Sequence, residues 1–197
     1  QISRCNLLNP STLKSDLHAT CDDLGTKLHL SSPLAGGLFT DRHFLETSAR
    51  RRQCPHVPWE KLRPSEVWYA KDELSSWAEG RAKRNTFLWQ LFQEGLMGTL
   101  SVIALKHDVS MASVALRWAL QQDNMGSVVV GSSFNTPSER SRSLRQVFTF
   151  ELDEDDLYRL QKIAGQQNPP TPSAKSFGYE NTDRKNDGYE LPDLDDK

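Results

Sequence analysis

Apolar and polar positions follow two periods along the first 164 residues, and the switches between them lay out strands and helices. QISRCNLL (1–8) is rich in apolar and short residues, and it reads as a strand running into a turn at Asn9-Pro10. Ser11 is a good helix cap, and Leu13, Leu17 and Cys21 follow at helical spacing until Gly25 stops the run. KLHLS (27–31) alternates like a strand and ends at Ser32-Pro33. Strand, helix and strand with short connections predict a βαβ unit with parallel pairing.

From Ala35 to about Asn85 the pattern dissolves into a long loop holding Gly36-Gly37, Pro55, Pro58, Pro64, Trp59, Trp68 and Trp77. The tryptophans argue against full disorder, because disordered segments are poor in aromatic residues. The run Arg50-Arg51-Arg52 reads as a solvated face rather than a phosphate site. Periodicity returns at 87–107, where Leu88, Leu91, Phe92, Leu96, Leu100, Ile103 and Ala104 share one helical stripe. Asp108-Val109 breaks it, and Ser110 caps a second helix with a small face of Ala112, Ala115, Leu116 and Ala119. SVVV (127–130) predicts a strand buried on both faces, and it delivers the chain to Gly131-Ser132-Ser133. A further helix is expected over Pro137–Arg145, and Asp153 caps a last one through Ala164. Gly165–Lys197 is Pro-, Asn- and Asp-rich and reads as a mostly disordered tail. Phe177, Tyr179 and Tyr189 are its only candidate anchors for a partner, against a simply solvated tail.

Composition narrows the function classes. The 197 residues carry a formal net charge of −2 with 37% hydrophobic content, and the mean hydropathy is −0.62. That is one substantial domain with a polar surplus, and nothing in it is basic enough for nucleic acid as main partner. No apolar run approaches the roughly 20 residues of a membrane span. Cys5, Cys21 and Cys54 form an odd set without a CxxC pair. The pairs His18/Cys21 and Cys54/His56 fall short of a metal-ligand pattern, so no metal is expected. A start at Gln1 without Met or leader reads as a fragment, with the cytoplasm as the expected setting and an organelle left open.

Candidate chemistry gathers just after strand ends, at Ser31-Ser32 with Gly36-Gly37 and at Gly131-Ser132-Ser133. Ligands bind at the carboxyl ends of parallel strands, and small residues there expose N–H groups suited to phosphate. Each cluster alone more often just turns the chain. Their order and surroundings say more. SSPLAGGLFTDRHF (31–44) resembles the aldo-keto reductase segment that reads roughly aromatic-SPLAxGxLTGKY. ALKHDVSMASVALRWALQQDNMGSVVVGSS (104–133) is similar to that family's later helix and final strand ending "IvGss", and QISRCNLL to its "NQvqYNLL". The segment before Leu88 is like an insertion found in plant and algal members.

The resemblance implies the C-terminal portion of a (β/α)₈ barrel, about its last three strands over residues 1–164, with an inserted loop at 38–85. It implies NADP(H) as cofactor and a small-molecule carbonyl substrate in the full-length protein. Gln1 matches the family glutamine on the nicotinamide carboxamide. Ser32, Pro33, Leu34, Ala35 and Gly37 match the pyrophosphate loop, and Arg42 takes the place of its lysine. Gly131 and Ser133 match the adenosine half, and Arg140 or Arg142 the position that meets the 2′-phosphate. Two departures stand out. Ser31 occupies the position of the aromatic residue that stacks on nicotinamide, and Ser143 or Leu144 replaces an asparagine near the adenine.

The family's Asp, Tyr, Lys and His would lie upstream, and none of His18, His29, His43, His56 and His107 falls in their pattern. Tyr69, Tyr158, Tyr179 and Tyr189 likewise lack the matching context, so no catalytic residue is assigned within this chain. Three strands of a barrel leave open edges and an unfilled interior, so the isolated chain is expected to be unstable. Beside the reductase reading stand an inactive cofactor- or partner-binding module and a truncated remnant. Substrate choice would rest with the loop at 38–85 and the absent half.

Overall fold

The computed structural model describes residues 1–53, 57–79, 88–131 and 143–165. Three parallel strands form its centre: β1 (Ile2–Arg4), β2 (Leu28–Ser31) and β3 (Met125–Val129), in the order β1-β2-β3. Ile2 pairs with His29 and Arg4 with Ser31, and across the other edge His29 pairs with Ser127 and Ser31 with Val129.

β1 and β2 are joined by a single 3₁₀ turn (Ser11–Lys14) and helix α1 (Asp16–Asp23). The helix starts later than Ser11. Ser15 is the cap, its side chain accepting from the His18 N–H, and Thr12 turns inward to donate to the Arg4 carbonyl at 2.7 Å. Between β2 and β3 the expected structureless loop contains helices. α2 is Ser48–Gln53, and α3 is Pro64–Tyr69, which continues through a π-helical turn (Ala70–Leu74) into α4 (Ser75–Glu79). α5 (Leu88–Leu91), a π-helical segment (Phe92–Met97) and α6 (Gly98–His107) then run on as one long helix. Asp108 ends it in the left-handed region at φ 51°, and Ser110 caps α7 (Met111–Leu120) after a bend of 92°. α8 (Glu154–Ala164) begins at its expected cap, Asp153, and ends at Gly165 with φ 80°. No single helix among the described residues is long and apolar enough to cross a membrane. The expected segment at 137–142 and the tail from 166, with Phe177, Tyr179 and Tyr189, lie outside the described residues.

The predicted stripe is the core. Phe92, Leu96, Leu100 and Ile103 are fully enclosed and join Leu28, Leu30, Leu38, Phe39 and Trp118 in one cluster. Each such side chain contributes about 1.5–3 kcal/mol of transfer free energy. The two sheet faces differ sharply. Leu28 and Leu30 are enclosed on the helix side. The other face carries Ile2, Arg4, His29, Ser31, Ser127 and Val129; Ile2 is 62% exposed and Val129 47%. β3 is therefore not buried on both faces as its valine run predicts. On the open face His29 Nδ1 meets Ser127 Oγ at 2.7 Å, pinning β2 to β3. Cys5 and Cys21 are buried free thiols, and burial with the nearby Glu73 charge pushes Cys5 up to about 12, which leaves it inert.

Candidate functional site

The carboxyl ends of β2 and β3 open into one cleft of about 1160 Å³. It is lined by Ser31–Leu34 and Val129–Gly131 at the strand ends, by Gly36, Gly37 and Thr40–Arg42, and by Asp108–Ser110 with Ser143, Leu144 and Gln146. Arg63, Ser65 and Tyr69 reach it from α3. A smaller cavity of about 400 Å³ lies between Asn9, Glu73 and Gly165 and touches no strand end of this cleft.

The turn after β2 is built from left-handed backbone. Ser32, Ala35, Gly36 and Gly37 have φ of 61°, 46°, 68° and 118°. At Gly36 the need for glycine is steric as well. A Cβ there would stand 2.7 Å from both the Ser65 carbonyl oxygen and Tyr69 Cδ2, so α3 packs straight onto the turn. Thr40 Oγ1 donates to the Gly37 carbonyl at 2.8 Å. Just beyond β1, Asn6 Nδ2 donates to the Ser32 carbonyl at 3.3 Å and to Glu73 at 2.7 Å, while its Oδ1 accepts the Leu8 and Asn9 N–H groups.

Two buried carboxylates, Glu66 and Glu73, lie on the side of the cleft that carries α3. Glu66 is 1% exposed. It accepts the Arg63 backbone N–H at 2.7 Å, and it pairs with Arg42 at 3.2 Å and His43 Nε2 at 3.1 Å, the last contact lacking hydrogen-bond alignment. Burial lowers the His43 pKa; Glu66 opposes that shift, and Arg42 and Arg63 reinforce it. Arg42 also donates to the Lys61 carbonyl at 2.6 Å, so its guanidinium is held at the cleft rim. Glu73 is raised by burial, against the lowering effects of Asn6 and Arg4. Arg4 lies 3.9 Å from Glu73 and 4.4 Å over the Trp68 ring, and Trp68 stands edge-on to Tyr69 at 4.7 Å.

The lining around Ser110 and Ser143 is held by hydroxyls. Ser110 caps α7 through the Ser113 N–H and donates to Ser143 Oγ at 3.0 Å, and Ser113 Oγ donates to the Ser143 carbonyl. Behind it, buried Asp156 accepts from Lys106 at 3.0 Å and meets His107 Nε2 at 2.7 Å, fastening α6 to α8. His107 is thus structural, as its place at a helix end suggests.

Ser31, Ser32, Pro33, Leu34, Gly37, Arg42 and Gly131 all line the cleft, although Gly131 comes from the far side of the sequence. Ala35 is enclosed behind it. Ser31 donates to the Ser3 carbonyl at 3.2 Å and offers no ring. Gln1 is exposed before the amino end of β1, where its carbonyl accepts from the His29 N–H, and it does not line the cleft. Counted back from Asn6-Leu7-Leu8, the glutamine of the resembling motif falls on Ile2. Ser133 and Arg140 lie outside the described residues. Asp41, Arg63, Ser65, Tyr69 and Asp108 were not singled out from the sequence as cleft residues; only the x-Pro-Ser-Glu start of α3 marks the helix that brings three of them. Among the described residues no three His, Cys, Asp or Glu side chains gather as a metal site.

The sequence model of the Aldo/keto reductase family matches residues 3–164, four-fifths of the chain. The chain belongs to the aldo/keto reductase family. No curated protein matches it. Membership implies (β/α)₈ barrel architecture and oxidoreductase chemistry with a nicotinamide cofactor, and the parallel strands with packed helices agree with part of such a barrel. The cleft fits such a cofactor: it is large and lined by Ser31, Ser32, Thr40, Ser65, Ser110 and Ser143, and among the described residues a Cβ at Gly131 would meet nothing within 4 Å.

Proposed function

We propose that this chain is the cofactor-side, C-terminal portion of an NADP(H)-dependent reductase of aldehydes or ketones. The observation that carries the reading is the single cleft joining the Ser31–Arg42 turn to Val129–Gly131 at the carboxyl ends of adjacent parallel strands. Partial barrel content is supported by the sheet itself, since an all-parallel sheet is normally covered on both faces. Here the face of Ile2, Arg4 and Val129 is open, as a barrel interior awaiting its remaining strands would be.

NADPH held in this cleft would supply the hydride for the carbonyl carbon. The carbonyl oxygen takes a proton from a donor this chain is not assigned. Within the chain, the 32–37 turn would lie along the phosphates, Arg42 and Glu66 fix the segment that follows it, and Ser110 and Ser143 brace another part of the lining. Ser31 favours a second reading, a relative that binds cofactor without turnover, because no aromatic face is offered at that position.

Titration of the protein at its full natural length with NADPH and NADH, followed by nicotinamide fluorescence, tests the reading. Tighter binding of NADPH is expected, and Arg140→Ala should narrow the preference. Absence of binding by either nucleotide refutes it, and binding without carbonyl reduction selects the second reading.

A further inference from the structure

The cleft would receive a ligand bearing several negative phosphates, yet its charged lining is balanced: Asp41 and Asp108 stand against Arg42 and Arg63. Arg42 is the residue that sequence resemblance offers as the phosphate cation, and it is already engaged. Its charge is met by the buried Glu66 carboxylate at 3.2 Å, and its second nitrogen is turned to the Lys61 carbonyl at 2.6 Å. Swinging it toward a ligand would leave Glu66, 1% exposed, without its guanidinium. Asp41 is turned partly toward α7, its Oδ1 accepting the Met111 N–H at 3.5 Å.

Arg63 differs in each respect. It is exposed and lines the cleft. Among the described residues its guanidinium makes no hydrogen bond or ion pair. Its root is nonetheless rigid: the backbone N–H is held by Glu66 Oε2 at 2.7 Å, the residue is the extended cap of α3 at φ −72°, and Pro64 follows at the first helical position. α3 is in turn seated on Gly36, so the base of Arg63 is registered against the Ser32–Gly37 turn. A fixed root with an unengaged, always-charged fork is the arrangement that recognises a phosphoryl group.

We propose that Arg63, supplied by the segment between the Gly36-Gly37 turn and the long helix, is a phosphate-binding residue of this cleft and carries the role its sequence position would have given to Arg42. The inference rests on the cofactor reading above and assigns its cation. The phosphate is either the pyrophosphate common to both nicotinamide dinucleotides or the 2′-phosphate of NADPH alone.

The test uses the protein at full natural length, with dissociation constants for NADPH and NADH measured by fluorescence for wild type, Arg63→Ala and Arg63→Lys. Loss of one charge-assisted contact predicts binding weakened about tenfold to a hundredfold in Arg63→Ala, with a flatter salt dependence and partial rescue in Arg63→Lys. Equal weakening of both nucleotides assigns the pyrophosphate, and weakening of NADPH alone assigns the 2′-phosphate. The melting temperature should hold, because the bond to Glu66 uses the backbone. Unchanged affinity in Arg63→Ala overturns the inference and leaves the cofactor reading standing. Failure of wild type to bind either nucleotide overturns both.

Discussion

Glu66→Ala is the most incisive perturbation of the cleft wall. The carboxylate is 1% exposed and holds three groups: the Arg63 N–H at 2.7 Å, Arg42 at 3.2 Å and His43 at 3.1 Å. The backbone bond to a charged acceptor is worth about 1.5–3 kcal/mol. The Arg42 side chain is 39% exposed, so solvent screening holds its ion pair to about 1 kcal/mol or less. With the small cavity left behind, the expected loss is about 3–4 kcal/mol, within the range for breaking one side of a buried pair. Glu66→Gln keeps an acceptor for the Arg63 N–H and should lose about half as much. Urea unfolding at pH 7 is the assay, with the midpoint falling at unchanged slope. The same variants remove the negative charge beside Arg42 while the Lys61 carbonyl still holds its second nitrogen, so nucleotide affinity should rise in Glu66→Gln while stability falls. A Glu66→Ala loss below about 1 kcal/mol would refute the view that this carboxylate organises the wall.

Three further outcomes are expected. Gly36→Ala should cost about 2–4 kcal/mol and weaken nucleotide binding, because left-handed strain adds to a 2.7 Å clash that displaces α3; chemical unfolding and titration measure both. Burial holds His43 below its ordinary 6.5, so the native state binds fewer protons than the unfolded chain and stability falls as pH drops from 6.5; His43→Gln should flatten that limb in urea titrations run between pH 7 and pH 5. Glu73 is raised above its ordinary 4.5, which gives the opposite sign: its contribution is full below 4.5 and is lost as pH rises, so Glu73→Gln should remove that decline and hold or gain stability at pH 7, and a loss above about 1 kcal/mol there would count against it.

Where one period ran over many residues, sequence and structure agree closely. The stripe from Leu88 to Ala104 and the caps at Ser110 and Asp153 lie where spacing and cap chemistry put them, because burial of one face and an orphan N–H at each start leave little choice. The stretch from 35 to 79 was opaque for the opposite reason. Its helices are short, and their stability comes from tertiary seats such as Glu66 under Arg63 and Trp77 Nε1 on the Ile163 carbonyl, which no local window contains. The valine run of β3 misled because its open side depends on what lies beyond the sheet. Of the site, the turn after β2 was legible from its Ser-Pro and Gly-Gly punctuation. The committed state of Arg42 and the unengaged state of Arg63 were not, since charge pairing across about 20 residues leaves no periodic trace.

The register of the sheet also dictates an order of assembly. Ile2 and His29 pair across about 27 residues of chain, whereas Leu28 and Met125 pair across about 97. Closing the longer loop costs about 1 kcal/mol more in chain entropy, before counting the helices that must form inside it. The β1–α1–β2 unit is thus expected to form first, with β3 docking once the longer segment between them has folded. Pulse-labelled hydrogen exchange during refolding should protect the amides of Cys5 and His29, bonded within that unit, before that of Leu28, which donates to the Asn124 carbonyl. Until β3 docks, the second edge of β2 is an unpaired template, and the refolding yield of this protein should fall with concentration in that interval.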